Sequence, residues 1–337
     1  MAGTTPARVD DVRSLALFLC TIGTCSALVT SAAAAELPIP SESARPLFYP
    51  KPIAQWEVEV GGRYWFSDGR TRIGVFGLTG ISDNIFLSQL TWSGLRAQSP
   101  EVFVRADHLS GFFVKGFLGG ASISGGNLQD EDFPPVIVPY SSTNSAQGDG
   151  NLRYAAIDAG WGWRSQEYRF GFFGGFHYYR EHVNGFGCVQ TAFNPFICVP
   201  SIPSSVLAIT QDTGWNALRL GFDAEWRFAG GWIASADVAW VPYAWLVATD
   251  NHWLRPFTGA ETGSSFGDWE VEALLRYQFA NGLSIGGGAR YWRINTAFAQ
   301  SNRNDIGLPQ TISVFTERWG GFVQVSYKFG ELRTLRY

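Results

Sequence analysis

The chain has 337 residues and a formal net charge of −4 at pH 7, with 16% charged and 15% aromatic residues. A net negative charge provides no bulk electrostatic attraction to nucleic acid, which is therefore not expected as a partner. Beyond residue 35, no segment holds eighteen consecutive apolar residues. This argues against a protein that crosses a membrane with helices.

Residues 1–35 have the parts of a secretory signal peptide. Arg8 and Arg13 give a basic start, an apolar stretch follows, and the run Ser31–Ala35 offers small residues for cleavage after Ala35. A transmembrane helix is the alternative, but Thr, Gly and Ser interrupt the apolar stretch. The sequence therefore predicts an exported protein.

Residues 36–55 are rich in proline and predict an irregular arm, whereas the chain from Trp56 to Phe329 alternates with period two. Within 216–228, for example, Leu, Phe, Ala and Trp occupy one face, and charges of both signs occupy the other. Such runs reach the roughly 9–11 residues that a tilted strand needs to cross a bilayer, and aromatic residues recur near their ends. Lipid cannot satisfy an open sheet edge, so the predicted fold class is all-β, a closed transmembrane antiparallel β-barrel over 56–329. A soluble β-sandwich, which also alternates, is the alternative.

Connection lengths predict the order of the strands. Tight turns are expected near 80–84, 108–111, 165–167, 229–231 and 280–282, and long external loops at 129–150, 185–212, 251–268 and 301–315. About ten strands result, at 56–77, 85–107, 111–128, 151–165, 168–184, 213–229, 232–250, 268–280, 283–299 and 316–329. The aromatic-ended last strand is the kind recognised by the barrel assembly machinery, and a tail at 330–337 follows it.

Two cysteines, Cys188 and Cys198, remain after cleavage of the signal peptide. In an exported protein, a single pair at this spacing is compatible with one disulfide that closes a short loop. The two cysteines are spaced wrongly for a four-ligand zinc site, and no cofactor or metal is expected.

Two motifs with chemical potential fall at the same end of the predicted barrel. Gly125–Phe133, at the end of the third strand, reads Gly-Gly-Asn-Leu-Gln-Asp-Glu-Asp-Phe and contains Asp130 and Asp132. Trp245–His252, at the end of the seventh strand, closes on Asp250, Asn251 and His252. Taken singly, an Asp-x-Asp pair usually marks a solvated turn, and a loop histidine is usually incidental. Their joint placement favours a functional site.

With these motifs, the chain resembles the omptin family of outer-membrane proteases, and the resemblance extends over most of the mature chain. The family has an Asp-x-Asp pair and an Asp-x-His pair at the corresponding strand ends, and the segment Ser88–Trp92 is similar to its Ser-Gln-Leu-x-Trp. The resemblance implies an omptin-like aspartic-type endopeptidase in the cell outer membrane, with Asp130, Asp132, Asp250 and His252 as catalytic residues. It also implies peptide or protein substrates at the cell surface, and outer-membrane lipid and lipopolysaccharide as partners, the latter as an activating lipid.

The mechanism implied is attack by an activated water, without an acyl-enzyme. His252 would act as general base, Asp250 would orient and stabilise its ring, and the aspartate pair would hold the other side of the water or share a proton.

The sequence departs from the family where acidic residues bind basic side chains of the substrate. Ile73 and Ala248 stand at those places, which argues against a dibasic preference and leaves an apolar or neutral substrate open. Two other functions also stay open: a catalytically silent adhesin or structural barrel, and a narrow pore.

Overall fold

The computed structural model describes residues 54–133, 138–255 and 257–330. The predicted signal peptide, nearly all of the proline-rich arm and residues 331–337 of the predicted tail lie outside the described residues. The described chain forms eleven strands and one short 3-10 turn at Ala229–Gly231. The strands are β1 (Trp56–Leu78), β2 (Phe86–His108), β3 (Phe112–Asp132), β4 (Ser141–Arg164), β5 (Tyr168–Gln190), β6 (Ile202–Phe228), β7 (Trp232–His252), β8 (Phe257–Ser265), β9 (Asp268–Gln278), β10 (Leu283–Arg303) and β11 (Gln310–Phe329). Among the described residues, no helix is long and apolar enough to span a membrane.

The strands close into a ring. Neighbouring strands pair antiparallel, and β11 returns to pair with β1, with Phe329 opposite Val58. The segments β8 and β9 lie end to end between β7 and β10, separated at Phe266 and Gly267. Gly267 has a φ of +85°, a left-handed conformation that glycine adopts without a steric cost. The eleven segments therefore fill ten positions of one barrel, and the predicted transmembrane β-barrel of about ten strands is confirmed.

An apolar belt encircles the barrel. On β7, for example, Trp232, Val238 and Trp240 point outward, and Trp240 is paired with the exposed Trp269 of β9. The short turns at 109–111, 165–167, 229–231 and 279–282 lie at one end of this belt. Exposed aromatic residues near these turns are Trp56, Trp161, Trp163, Trp226, Trp232, Tyr327 and Phe329. A belt of this kind, with aromatic residues at its borders, faces lipid in outer-membrane barrels.

Two layers fill the lumen. Near the short turns, charged side chains pair across the barrel: Arg276 contacts Glu59 and Glu225 at 2.5 Å each, and Arg290 contacts Glu101 at 2.6 Å. The charges of both signs noted on the inward face therefore neutralise one another across the lumen. Above them lies an unpredicted layer of fully buried apolar side chains that includes Trp65, Trp92, Leu95, Leu128, Trp215 and Leu246.

The predicted long loops were wrong in extent. Most of 129–150, 185–212, 251–268 and 301–315 belongs to strands, and these four connections shrink to 133–140, 191–201, 253–256 and 304–309. The connection predicted as a tight turn near 80–84 spans 79–85 and lies at the same end of the barrel as these four. The apolar alternation ends where the strands leave the lipid, but the backbone hydrogen bonding continues into water. The barrel wall therefore extends well beyond the membrane on the side opposite the short turns, which we call the mouth.

Candidate active site at the barrel mouth

Both motifs lie in strands and not in loops. Asp130 and Asp132 are in the last three residues of β3, and Asp250 and His252 are in the last three of β7. Residues two apart on a strand share a face, so each pair presents both side chains to the lumen. The strand ends are hydrogen-bonded: Asp132 lies opposite Ser88 of β2, and His252 lies opposite Phe257 of β8.

The barrel brings the two pairs together. The strands β3 and β7 lie on opposite sides of the ring, and all four side chains line one cavity of about 280 Å³ at the mouth. The buried layer that includes Trp92 and Leu128 lies two residues closer to the membrane than Asp130, and it closes the cavity on that side.

The imidazole of His252 is held in two ways. Its Nε2 lies 2.9 Å from Oδ2 of Asp250. Its ring stacks on Phe257, with centroids 4.1 Å apart and planes inclined by 22°. If Nε2 carries the proton and donates a hydrogen bond to Asp250, Nδ1 is the basic nitrogen of the ring. The arrangement is that of an oriented general base.

Asp130 is the member of the aspartate pair whose surroundings favour its neutral form. Asp130 is half-buried, and the hydroxyl of Ser88 approaches its Oδ1 at 3.4 Å. Burial, and then the neighbouring carboxylate of Asp132, raise the pKa of Asp130 to about 6, against the opposing influence of His252 and Arg255. A carboxyl with this pKa can hold or release a proton at the pH of the cell surface.

One acid in the cavity was not predicted. Glu261 of β8 is buried, lines the same cavity, and accepts a hydrogen bond of 2.9 Å from Nε2 of Gln211. Burial and the nearby Asp250 raise its pKa to about 8. Nothing in the sequence singles it out, because 251–268 reads as a polar loop and does not show that Glu261 faces inward from a strand.

The positions at which the sequence departs from the omptin pattern also face the lumen. Ile73 is buried opposite Leu90 and Val314, and the buried Ala248 lies directly opposite Glu261. Neither position places a charge in the cavity.

The predicted cysteine pair is bonded. Cys188 and Cys198 form a disulfide with Cα atoms 5.7 Å apart, at the mouth end of β5.

Comparison with solved structures agrees with this architecture. The outer-membrane protease OmpT from Escherichia coli superposes with a TM-score of 0.68 at 12% identity, covering 81% of this chain and 97% of that one. The outer-membrane protein OprG from Pseudomonas aeruginosa matches at a TM-score of 0.36 and 8% identity, covering 82% of this chain and 96% of that one. No family model and no curated protein matches the sequence. The ring of strands, the apolar belt and the first of these likenesses define an outer-membrane β-barrel.

Proposed function

We propose that this barrel is an outer-membrane endopeptidase that hydrolyses peptide bonds at the cell surface with an activated water. The observation that carries the proposal is the cavity at the mouth, in which a histidine–aspartate pair on β7 faces an aspartate pair on β3. OmpT, the similar barrel, is an outer-membrane protease. At 12% identity, this likeness supports the fold alone, so the proposed activity rests on the side chains that line the mouth cavity.

Each side chain has a chemical role. His252 takes a proton from a water molecule as the water oxygen attacks the peptide carbonyl, and Asp250 stabilises the imidazolium that forms. Asp130 and Asp132 hold the water from the opposite side. When the C–N bond breaks, the proton on His252 passes to the leaving amine, which regenerates the free base.

The test is a comparison of two histidine variants in refolded protein supplied with lipopolysaccharide, the expected activating lipid. His252→Ala should lower kcat/KM for peptide hydrolysis by about 10²- to 10⁴-fold, the usual contribution of a general base. His108→Ala is the matched control, because His108 lies at the opposite end of the barrel, bonded to Ser110.

Both variants should keep the heat-modifiable migration of a folded barrel. Undiminished cleavage by folded His252→Ala protein would refute the assignment. If the wild-type protein cleaves no peptide, a silent adhesin or structural barrel becomes the better account.

A further inference from the structure

The cavity at the mouth has one acidic side and one apolar side. The apolar side is formed by Val75 of β1, Leu90 of β2 and Ile312 of β11, which line the cavity, with Ile312 opposite Val75. We call these three residues the aliphatic wall. Leu90 and Ile312 are largely buried, and Val75 packs against the same apolar cluster. Ile73, opposite Leu90, and Val314 are buried next to the wall and do not line the cavity.

The aliphatic wall leads directly to the aspartate pair. Leu90 of β2 lies opposite Asp130 of β3, and the neighbouring Ser88 lies opposite Asp132. Directly opposed residues on antiparallel strands have Cβ atoms about 4.5–5.5 Å apart. A substrate whose carbonyl lies between the aspartate pair and His252 can therefore lay a neighbouring side chain against the wall.

The remaining charges of the cavity do not favour a cationic substrate side chain. Arg255 and Arg303 also line the cavity; Arg303 is paired with Asp305 at 2.7 Å, and Arg255 would repel lysine or arginine. Glu261 is the one acid of the described lining besides the four proposed catalytic groups, and it is hydrogen-bonded to Gln211. Because the pKa of Glu261 is raised to about 8, this carboxyl is mostly neutral at pH 7.

We infer that the aliphatic wall selects substrates with an apolar side chain, of the size of valine or leucine, beside the bond that is cleaved. The inference rests on the proposed peptidase function and names its substrate class. Transfer of an aliphatic side chain from water to such a wall favours binding roughly in proportion to the apolar area that is buried.

Matched peptides that differ at one position test the inference. The residue beside the cleaved bond is leucine, alanine, lysine or aspartate, and kcat/KM is measured with refolded wild-type protein. The leucine peptide should exceed the alanine peptide by about 10- to 100-fold, as expected for burial of a leucine side chain. The lysine peptide should not exceed the alanine peptide.

A substitution in the wall should shift the preference away from leucine and toward lysine. Val75→Asp places a carboxylate beside the cavity, so the ratio of kcat/KM for the leucine peptide to that for the lysine peptide should fall at least tenfold. Val206→Asp is the matched control, since Val206 is exposed on β6 and does not line the cavity; its ratio should remain that of the wild type. Val75→Ala, which carries no charge, should weaken leucine cleavage without improving lysine cleavage, and it serves if Val75→Asp does not fold.

The outcomes separate the two claims. Cleavage beside lysine or arginine in preference to leucine would overturn the inference and leave the peptidase function intact. A leucine preference that Val75→Asp and Val75→Ala both leave unchanged would also overturn it. If no peptide is cleaved by the folded wild-type protein, the inference and the proposed function both fail.

Discussion

At the scale of single residues, Asp130 shows most clearly the energetic cost of the proposed site. The raised pKa means that the folded barrel binds the proton of this carboxyl more tightly than the unfolded chain does. Below the ordinary pKa of 3.8 the carboxyl is protonated in both states, and no penalty exists. Above about pH 6 it is ionised in both states, and the folded state carries the full penalty. The penalty therefore grows between about pH 4 and pH 6.

We predict that Asp130→Asn stabilises the barrel at pH 8 and has little effect near pH 3.5. A rise of the pKa from 3.8 to about 6 corresponds to about 2–3 kcal/mol, and because Asp130 is partly exposed to solvent, the expected gain lies near the lower end, about 2 kcal/mol. Urea-induced unfolding in lipid vesicles at the two pH values measures the difference. Asp83→Asn, in the exposed first turn, is the control and should show no such pH dependence. A gain that is equal at both pH values would mean that the charge of Asp130 is not the cause.

At the scale of strands, the sequence predicted the parts that lipid dictates and missed the parts beyond it. Outward rows of apolar residues such as Leu, Val, Phe and Trp located the membrane-crossing segments, because apolar side chains suit hydrocarbon. The mouth ends of the strands carry polar residues on both faces, so the apolar–polar alternation disappears although the backbone hydrogen bonding between strands continues. The stretch 141–150, Ser-Ser-Thr-Asn-Ser-Ala-Gln-Gly-Asp-Gly, reads as a loop but pairs with both β3 and β5.

The same limit applied to the candidate site. The residues of both motifs were found because their sequence spacing resembles a known pattern. Glu261 and Val75 carry no local signal, since their place in the cavity depends on pairing with strands farther along the chain, Glu261 with Ser301 of β10 and Val75 with Ile312 of β11. Cross-strand pairing of this kind can be obtained only from the folded barrel.

We predict that the mouth ends of the strands are ordered. Backbone amides that are hydrogen-bonded within 141–150 and 202–212 should exchange with deuterium far more slowly than those in the connection 191–201, because only the former belong to the ladder. Mass spectrometry of the refolded protein measures this directly. Equally rapid exchange in all three segments would show that the wall ends at the membrane surface and would leave the candidate site without its support.

At the scale of the whole molecule, the filled lumen opposes a pore. The charged layer, in which Arg219 contacts Asp158 at 2.8 Å, and the apolar layer that includes Trp65 and Trp215 lie in series across the described lumen. A ten-strand barrel has little more space than its own side chains occupy. We therefore predict no steady conductance in planar bilayers, and a persistent open current would contradict the packing of both layers.

The central claim is that a peptide-hydrolysing site opens to the cell exterior from an outer-membrane barrel. Intact Gram-negative cells without a surface peptidase of their own, producing either the wild-type chain or His252→Ala, test it with a peptide that cannot cross the outer membrane. We expect cleavage in the medium by cells with the wild-type barrel, and almost none by cells with an equal amount of the variant in their outer membrane. Equal cleavage by both, or cleavage only after the cells are broken open, would contradict it.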